Sequence, residues 1–104
     1  MIKTLIKKCN NNVIESITVT GHANAGKFGN DLICAGVTAI MIGALNALEL
    51  LADKSVNLKV LDNEMIIKVL KKEDLELQRM LLFIKIQLQT IEVQYPKNLK
   101  IMEE

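Results

Sequence analysis

Two periodicities organise this chain. Residues 2–9 mix apolar and polar positions as a strand does, and residues 13–20 alternate cleanly. Val13, Ile17 and Val19 fall on one face there, and Ser16, Thr18 and Thr20 on the other. A period of two marks a half-buried strand. Asn10-Asn11-Asn12 between the runs is a turn signal, because asparagine tolerates left-handed backbone, so the two runs form a hairpin. Gly21, Gly26 and Gly29, with Asn24 and Asn30, predict a loop over residues 21–30. Asp31 then reads as the N-cap of a helix over residues 32–52. Ala35, Gly36, Ala39, Gly43 and Ala47 recur on one side of that helix, opposite Ile33, Val37, Ile40, Met41 and Leu48. A helix apolar nearly all round is covered on both sides, which points to a helix-mediated homodimer.

The period returns to two over residues 55–61, through Val56, Leu58 and Val60. Asp62-Asn63 fits a two-residue turn, and residues 64–71 run back as a strand. Asp74 caps a second helix over residues 75–94, with Leu77, Leu81, Ile84, Leu88 and Ile91 as its apolar stripe. Pro96 ends it, and residues 97–102 form a short last strand. The order is β-β-α-β-β-α-β. Hairpins alternating with helices predict a single α+β domain over residues 1–104, a two-layer sandwich with both helices on one face of the sheet.

Composition narrows the function. Half of the 104 residues are apolar, enough for a core, yet only Phe28, Phe83 and Tyr95 are aromatic. Thirteen basic and twelve acidic side chains leave a net charge of +1. Neither a strong field nor stacking platforms argue for nucleic acid, so no direct nucleic-acid partner is expected. Cys9 and Cys34 form no CxxC pair or disulfide scaffold, and lysines interrupt the apolar start of the chain. These features predict a cytoplasmic protein with reduced thiols. The uncharged run Leu32–Leu45 is about 14 residues, short of the ~20 a bilayer requires, so no membrane association is expected.

His22 is the only histidine, one residue past the end of a predicted strand. Cys34 falls in the first turn of the predicted helix. A thiol there meets the positive end of the helix dipole and unpaired N–H groups, which favour the nucleophilic thiolate. His22 could act as its base, and helix-start N–H groups, including that of Cys34, could hold an oxyanion. Asp31 is the acidic residue nearest the pair, but a capping role would occupy its carboxylate, so a Cys–His dyad with Asp31 in support is expected. Structural roles stand beside this one: a free cysteine is commonly a small buried hydrophobe, and a lone loop histidine is commonly a surface residue. Gly21 to Phe28 nearly spells the phosphate-binding G-x-x-x-x-G-K-[ST], but Phe28 stands where a hydroxyl should bind magnesium. One histidine and two cysteines offer few ligands for a closed zinc site. No metal or cofactor is expected.

Gly21-His22-Ala23, followed by Gly29-Asn30-Asp31-Leu32-Ile33-Cys34-Ala35-Gly36-Val37-Thr38, resembles the signature of the ribosomal-processing cysteine protease family. That pattern is a G-H-A motif, a glycine-rich loop, then G-x-D-x-x-C-A opening a small-residue helix. Thr38 stands where the family often has serine, a mild departure. The resemblance spans the length of the chain and its order of elements. It implies a homodimeric cysteine endopeptidase that removes a short N-terminal extension from a large-subunit ribosomal protein. It places the nucleophile at Cys34, the general base and acid at His22 and the motif carboxylate at Asp31, with Gly21 and Gly29 in support. The intervening loop is expected to order around substrate, with Gly26 and Gly29 supplying freedom and Phe28 touching the apolar peptide. The alternative is a non-catalytic module that binds a ribosomal protein or assembly factor through the same cleft.

Overall fold

The computed structural model describes the backbone of residues 1–21 and 28–104, and the side chains of residues 1–21 and 32–104. Strand β1 (Ile2–Lys8) is joined to β2 (Ile14–Thr20) by a single 3-10 turn over Asn10–Asn12. Asn11 and Asn12 take the left-handed backbone expected of them, at φ 67° and 61°. Helix α1 (Phe28–Ala52), the hairpin β3 (Val56–Leu61) and β4 (Glu64–Val69), helix α2 (Leu75–Gln94) and β5 (Leu99–Glu103) follow. The β-β-α-β-β-α-β order is as the periodicity predicts.

The sheet runs β3-β4-β2-β1-β5. Its pairs are antiparallel except β1 with β5. Strands β2 and β3 are therefore parallel across β4, and β4 and β5 are parallel across β2 and β1. Each pair is bridged by a helix, and twisted strands strongly favour right-handed crossovers. The second crossover reverses both the strand direction and the sideways step of the first, so right-handed connections place both helices on the same face. Register then stacks the core in rows: Ile6 opposite Ile17, Ile17 opposite Ile67, and Val19 opposite Met65. Ile6, Ile17, Ile67, Leu77, Leu81 and Leu88 are fully buried in this layer. Each large apolar side chain withdrawn from water contributes about 1.5–3 kcal/mol.

Three local expectations need correction. Pairing slips between Lys7 and Lys8, so that Lys8 faces Ile14. The bulged residue reverses alternation, and Ile14 is buried where Val13 was expected. At the other edge Val60 is 59% exposed, because the β3 edge runs past the helix layer. Finally, α1 begins at Phe28, not at residue 32. Asp31 is thus inside the helix rather than at its N-cap. Gly29 and Asn30 cost a helix only about 1 kcal/mol or less each, which the packing of a long apolar helix outweighs.

Asp74 caps α2 as predicted. Its carboxylate accepts the N–H of Leu77 at 3.1 Å and the Ser55 hydroxyl at 2.6 Å. These bonds, the serine hydroxyl first, hold its pKa below the ordinary carboxylate value. Ile33, Val37, Met41, Leu45, Leu48 and Ala52 form the buried stripe of α1. Residues Leu32–Ala52 have the length and composition of a membrane span, longer than the uncharged run alone suggested. In this fold their stripe is instead part of the shared core.

Candidate active site

Three chain segments meet at one end of the sheet: the start of β1, the end of β2 and the turn entering β5. Gly21 closes β2 with φ +84°, and its N–H donates to the Asn63 carbonyl at 3.2 Å. A Cβ on Gly21 would sit 2.6 Å from the Met1 carbonyl oxygen, so both space and backbone demand glycine. The N–H of Ile2 donates to the Asn98 carbonyl at 2.9 Å, and that of Asn98 to the Tyr95 carbonyl at 3.0 Å, which ties the β5 turn to β1.

Cys34 faces this junction from α1. It is 8% exposed, and its Sγ lies 4.0 Å from the Gly21 carbonyl oxygen. A small cleft of about 60 Å³ opens on it, lined by Met1, Ile2, Gly21, Ile33, Lys97 and Asn98. The structure brings Cys34 to Gly21, the residue before His22; the expected pairing of Cys34 with His22 itself lies outside the described residues. His22 and Gly26 lie outside the described residues, as do the side chains of Phe28 and Asp31. Gly29 lies in the first turn of α1.

The early start of α1 changes the electrostatics expected at the thiol. Cys34 now sits in the second helical turn, and the dipole effect fades beyond the first. Its N–H also falls among those served by the carbonyl four residues back, not among the four unpaired ones at the helix start. The helix start is thus a weak activator here, and the Cys34 N–H is a poor oxyanion donor. Lys97 and Asn98 were missed by the sequence reading. They belong to no motif; only Pro96, which ends α2 and throws the chain back toward β1, hinted that this turn reaches the site.

A larger cavity, about 570 Å³, lies between the helices and shares none of this lining apart from α1 itself. Ala39, Gly43, Ala47, Leu51, Met80 and Phe83 give it apolar walls. Its lining offers no nucleophile, so the smaller cleft is the candidate site.

A buried thiol facing a cleft beside a glycine-tight strand end fits a thiol hydrolase. The comparison with known proteins agrees and goes further: a family model described as Cysteine protease Prp matches residues 1–100, and the chain belongs to that family. A ribosomal processing cysteine protease Prp from Staphylococcus aureus (strain Mu50 / ATCC 700699) is 30% identical over 90 residues, 85% of each chain. The protein of the same description from Bacillus subtilis (strain 168) is 48% identical over 52 residues, half of this chain and 46% of that one. The match thus spans about half the length of that relative. The crystal structure of the S. aureus protease with a substrate peptide superposes with a TM-score of 0.92 at 26% identity, over the whole of both chains. A second structure of it, with a covalently linked product peptide, gives 0.88 at 27% identity, also over both whole chains. The two-layer fold is therefore that of Prp proteases.

Proposed function

We propose that this chain is a cytoplasmic cysteine endopeptidase that removes a short N-terminal extension from a large-subunit ribosomal protein, with Cys34 as nucleophile and His22 as general base and acid. The observation that carries the reading is the meeting of Cys34 with Gly21, the residue bonded to His22 in sequence, in a chain that belongs to the Prp family along its length. The peptide-bound relatives support a peptide as substrate.

The chemistry follows from those groups. His22 takes the thiol proton of Cys34, and the thiolate attacks the scissile carbonyl. The tetrahedral intermediate collapses as His22 returns that proton to the leaving amine, which departs as the new N-terminus. A thioester to Cys34 remains. Water, deprotonated by His22, cleaves it to a carboxylate and restores the thiol. Because α1 supplies little activation at Cys34, the imidazole carries most of it. Asp31, Gly29, Gly26 and Phe28 keep their proposed supporting and substrate-loop roles.

The α1 face carrying Ala35, Ala39, Gly43 and Ala47 is exposed, and a Cβ on Gly43 would meet nothing within 4 Å. Small residues with open space before them support a homodimer through this face. The deciding experiment follows the mass of an extended ribosomal-protein precursor. Wild type shortens it and Cys34→Ala does not; equal cleavage by Cys34→Ala refutes the assignment. Alkylation of Cys34 reports on His22. In His22→Ala the reaction begins at higher pH than in wild type, and superimposable profiles would exclude the imidazole as activator. If wild type leaves the precursor intact but binds it, the cleft is a binding module.

A further inference from the structure

Both helices cover one face of the sheet and leave the other open. Alternation sends Lys3 and Lys7 of β1, Lys59 of β3, Lys68 of β4 and Lys100 of β5 to the open face, where all five are exposed. These are five of the thirteen basic residues. Register groups them: Lys3 pairs with Lys100, and Lys7 and Lys68 flank Ser16. Among the described residues, ion pairs engage Lys8, Lys72 and Lys85, and none of these five. Against them the same face carries Glu64 and, at its rim, Glu104. A net charge of +1 therefore conceals a segregated positive surface.

Lysines on edge strands commonly block edge-to-edge pairing, which accounts for Lys59 and Lys100. It does not account for Lys3, Lys7 and Lys68 on inner strands. Like charges at paired positions destabilise a sheet, so Lys3 beside Lys100 works against the fold and toward an anion. Ser16, Thr18 and Thr20 place hydroxyls among the cations. The three aromatics lie outside the strands, so the face cannot stack bases.

We infer that this open face is a docking surface for the sugar–phosphate backbone of RNA, bound without regard to sequence. Lysines meet phosphates, and the threonine and serine hydroxyls meet phosphate oxygens or 2′-hydroxyls. A bilayer fits less well, because the exposed apolar side chains of this face, Leu61 on β3 and Met102 on β5, stand apart on its two edge strands, and Leu5 and Ile66 between them are half-buried and form no continuous wedge. The Cys34 cleft lies on the helix side at the end of the sheet that carries Lys3 and Lys100, with Ile2 and Asn98 in its lining and none of the five lysines. The inference does not depend on the peptidase reading.

The test is fluorescence anisotropy of a labelled, mixed-sequence 20-nucleotide single-stranded RNA titrated with the whole chain at 50–200 mM KCl. Five phosphate contacts at about 0.7 counterions each give a log–log salt slope of about −3.5, or roughly a 100-fold loss of affinity across that range. K3Q/K68Q/K100Q retains two contacts and falls to a slope of about −1.4, roughly 7-fold. K59Q/K68Q gives a second, independent decrement should the triple variant fail to fold. K54Q/K71Q/K72Q, off this face, binds as wild type. No anisotropy change at 50 mM KCl, equal slopes in wild type and both on-face variants, or equal loss in the off-face variant overturns the inference. So does capture by phosphatidylserine vesicles without RNA binding. Peptide cleavage by K3Q/K68Q/K100Q stays at the wild-type rate, so loss of RNA binding is separable from failure of the peptidase assignment.

Discussion

Gly21→Ala tests the site at its tightest point. The substitution places a Cβ 2.6 Å from the Met1 carbonyl oxygen, a backbone atom that cannot swing aside as a side-chain tip would. It also holds an L-residue at φ +84°, a left-handed conformation costing about 1–2 kcal/mol. Relieving the contact moves either the start of β1 or the end of β2. The second route endangers the Gly21 N–H bond to Asn63, worth about 0.5–1.5 kcal/mol net. Together these give a destabilisation of about 1.5–3.5 kcal/mol before any residual clash. Urea denaturation measures it, with a lower midpoint and an unchanged slope. The same shift displaces the carbonyl that lies 4.0 Å from Cys34 Sγ, so cleavage of the precursor falls under conditions where the variant is still folded. Gly43→Ala is the matched control: with nothing within 4 Å and a helical backbone, it leaves stability equal or raises it by up to about 1 kcal/mol. A Gly21→Ala protein with wild-type midpoint and cleavage rate would refute both the steric argument and the placement of the active site at this strand end.

Three other outcomes are expected. Thr4 is fully buried with its Oγ1 unpartnered among the described residues, so Thr4→Val stabilises the protein by about 1 kcal/mol in urea titrations, the penalty of an unmade hydrogen bond. Asp74 has a lowered folded-state pKa, so its stabilisation is present above the ordinary carboxylate range and is lost as pH falls through the lower folded value. The gap in melting temperature between wild type and Asp74→Asn is therefore full at pH 6 and closes in acid below about pH 4; a gap constant down to pH 2 contradicts the capping role. Gly43→Arg puts a charge on the small-residue face of α1 and yields a monomer by light scattering, where wild type gives twice the 11.6 kDa chain mass.

What the sequence disclosed follows from which interactions are local. The hairpins, the Asp74 cap and the stripe through Leu77, Leu81, Ile84 and Leu88 were legible because turn chemistry and periodicity lie within a few residues. The Gly-His-Ala and Gly-x-Asp-x-x-Cys-Ala pattern marked Cys34, and the structure brings that thiol to Gly21. The failures share a cause. The start of α1 was misplaced because Gly29 and Asn30 have modest local penalties that long-range packing overrides. The Ile14 inversion depends on a slip between two strands, which no single strand encodes.

The turn entering β5 is the most informative omission. Asn98 and Lys97 are more than sixty residues from Cys34, yet they line its cleft because β5 pairs in parallel with β1. A parallel pairing at such separation leaves no periodic trace, and it also aligns Lys100 with Lys3. The contact that completes the cleft and the contact that concentrates charge on the open face are thus consequences of one topological choice. Net charge sums the chain without regard to that choice, which is why it argued against a polyanion. Once β5 is placed, Lys3 and Lys100 stand side by side on the open face at the end of the sheet where Ile2 and Asn98 line the cleft on the helix side, so an RNA held on the open face would bring a precursor bound to it to the same molecule. Charge removal on the face should then slow cleavage of a precursor presented on RNA while leaving cleavage of the free precursor unchanged.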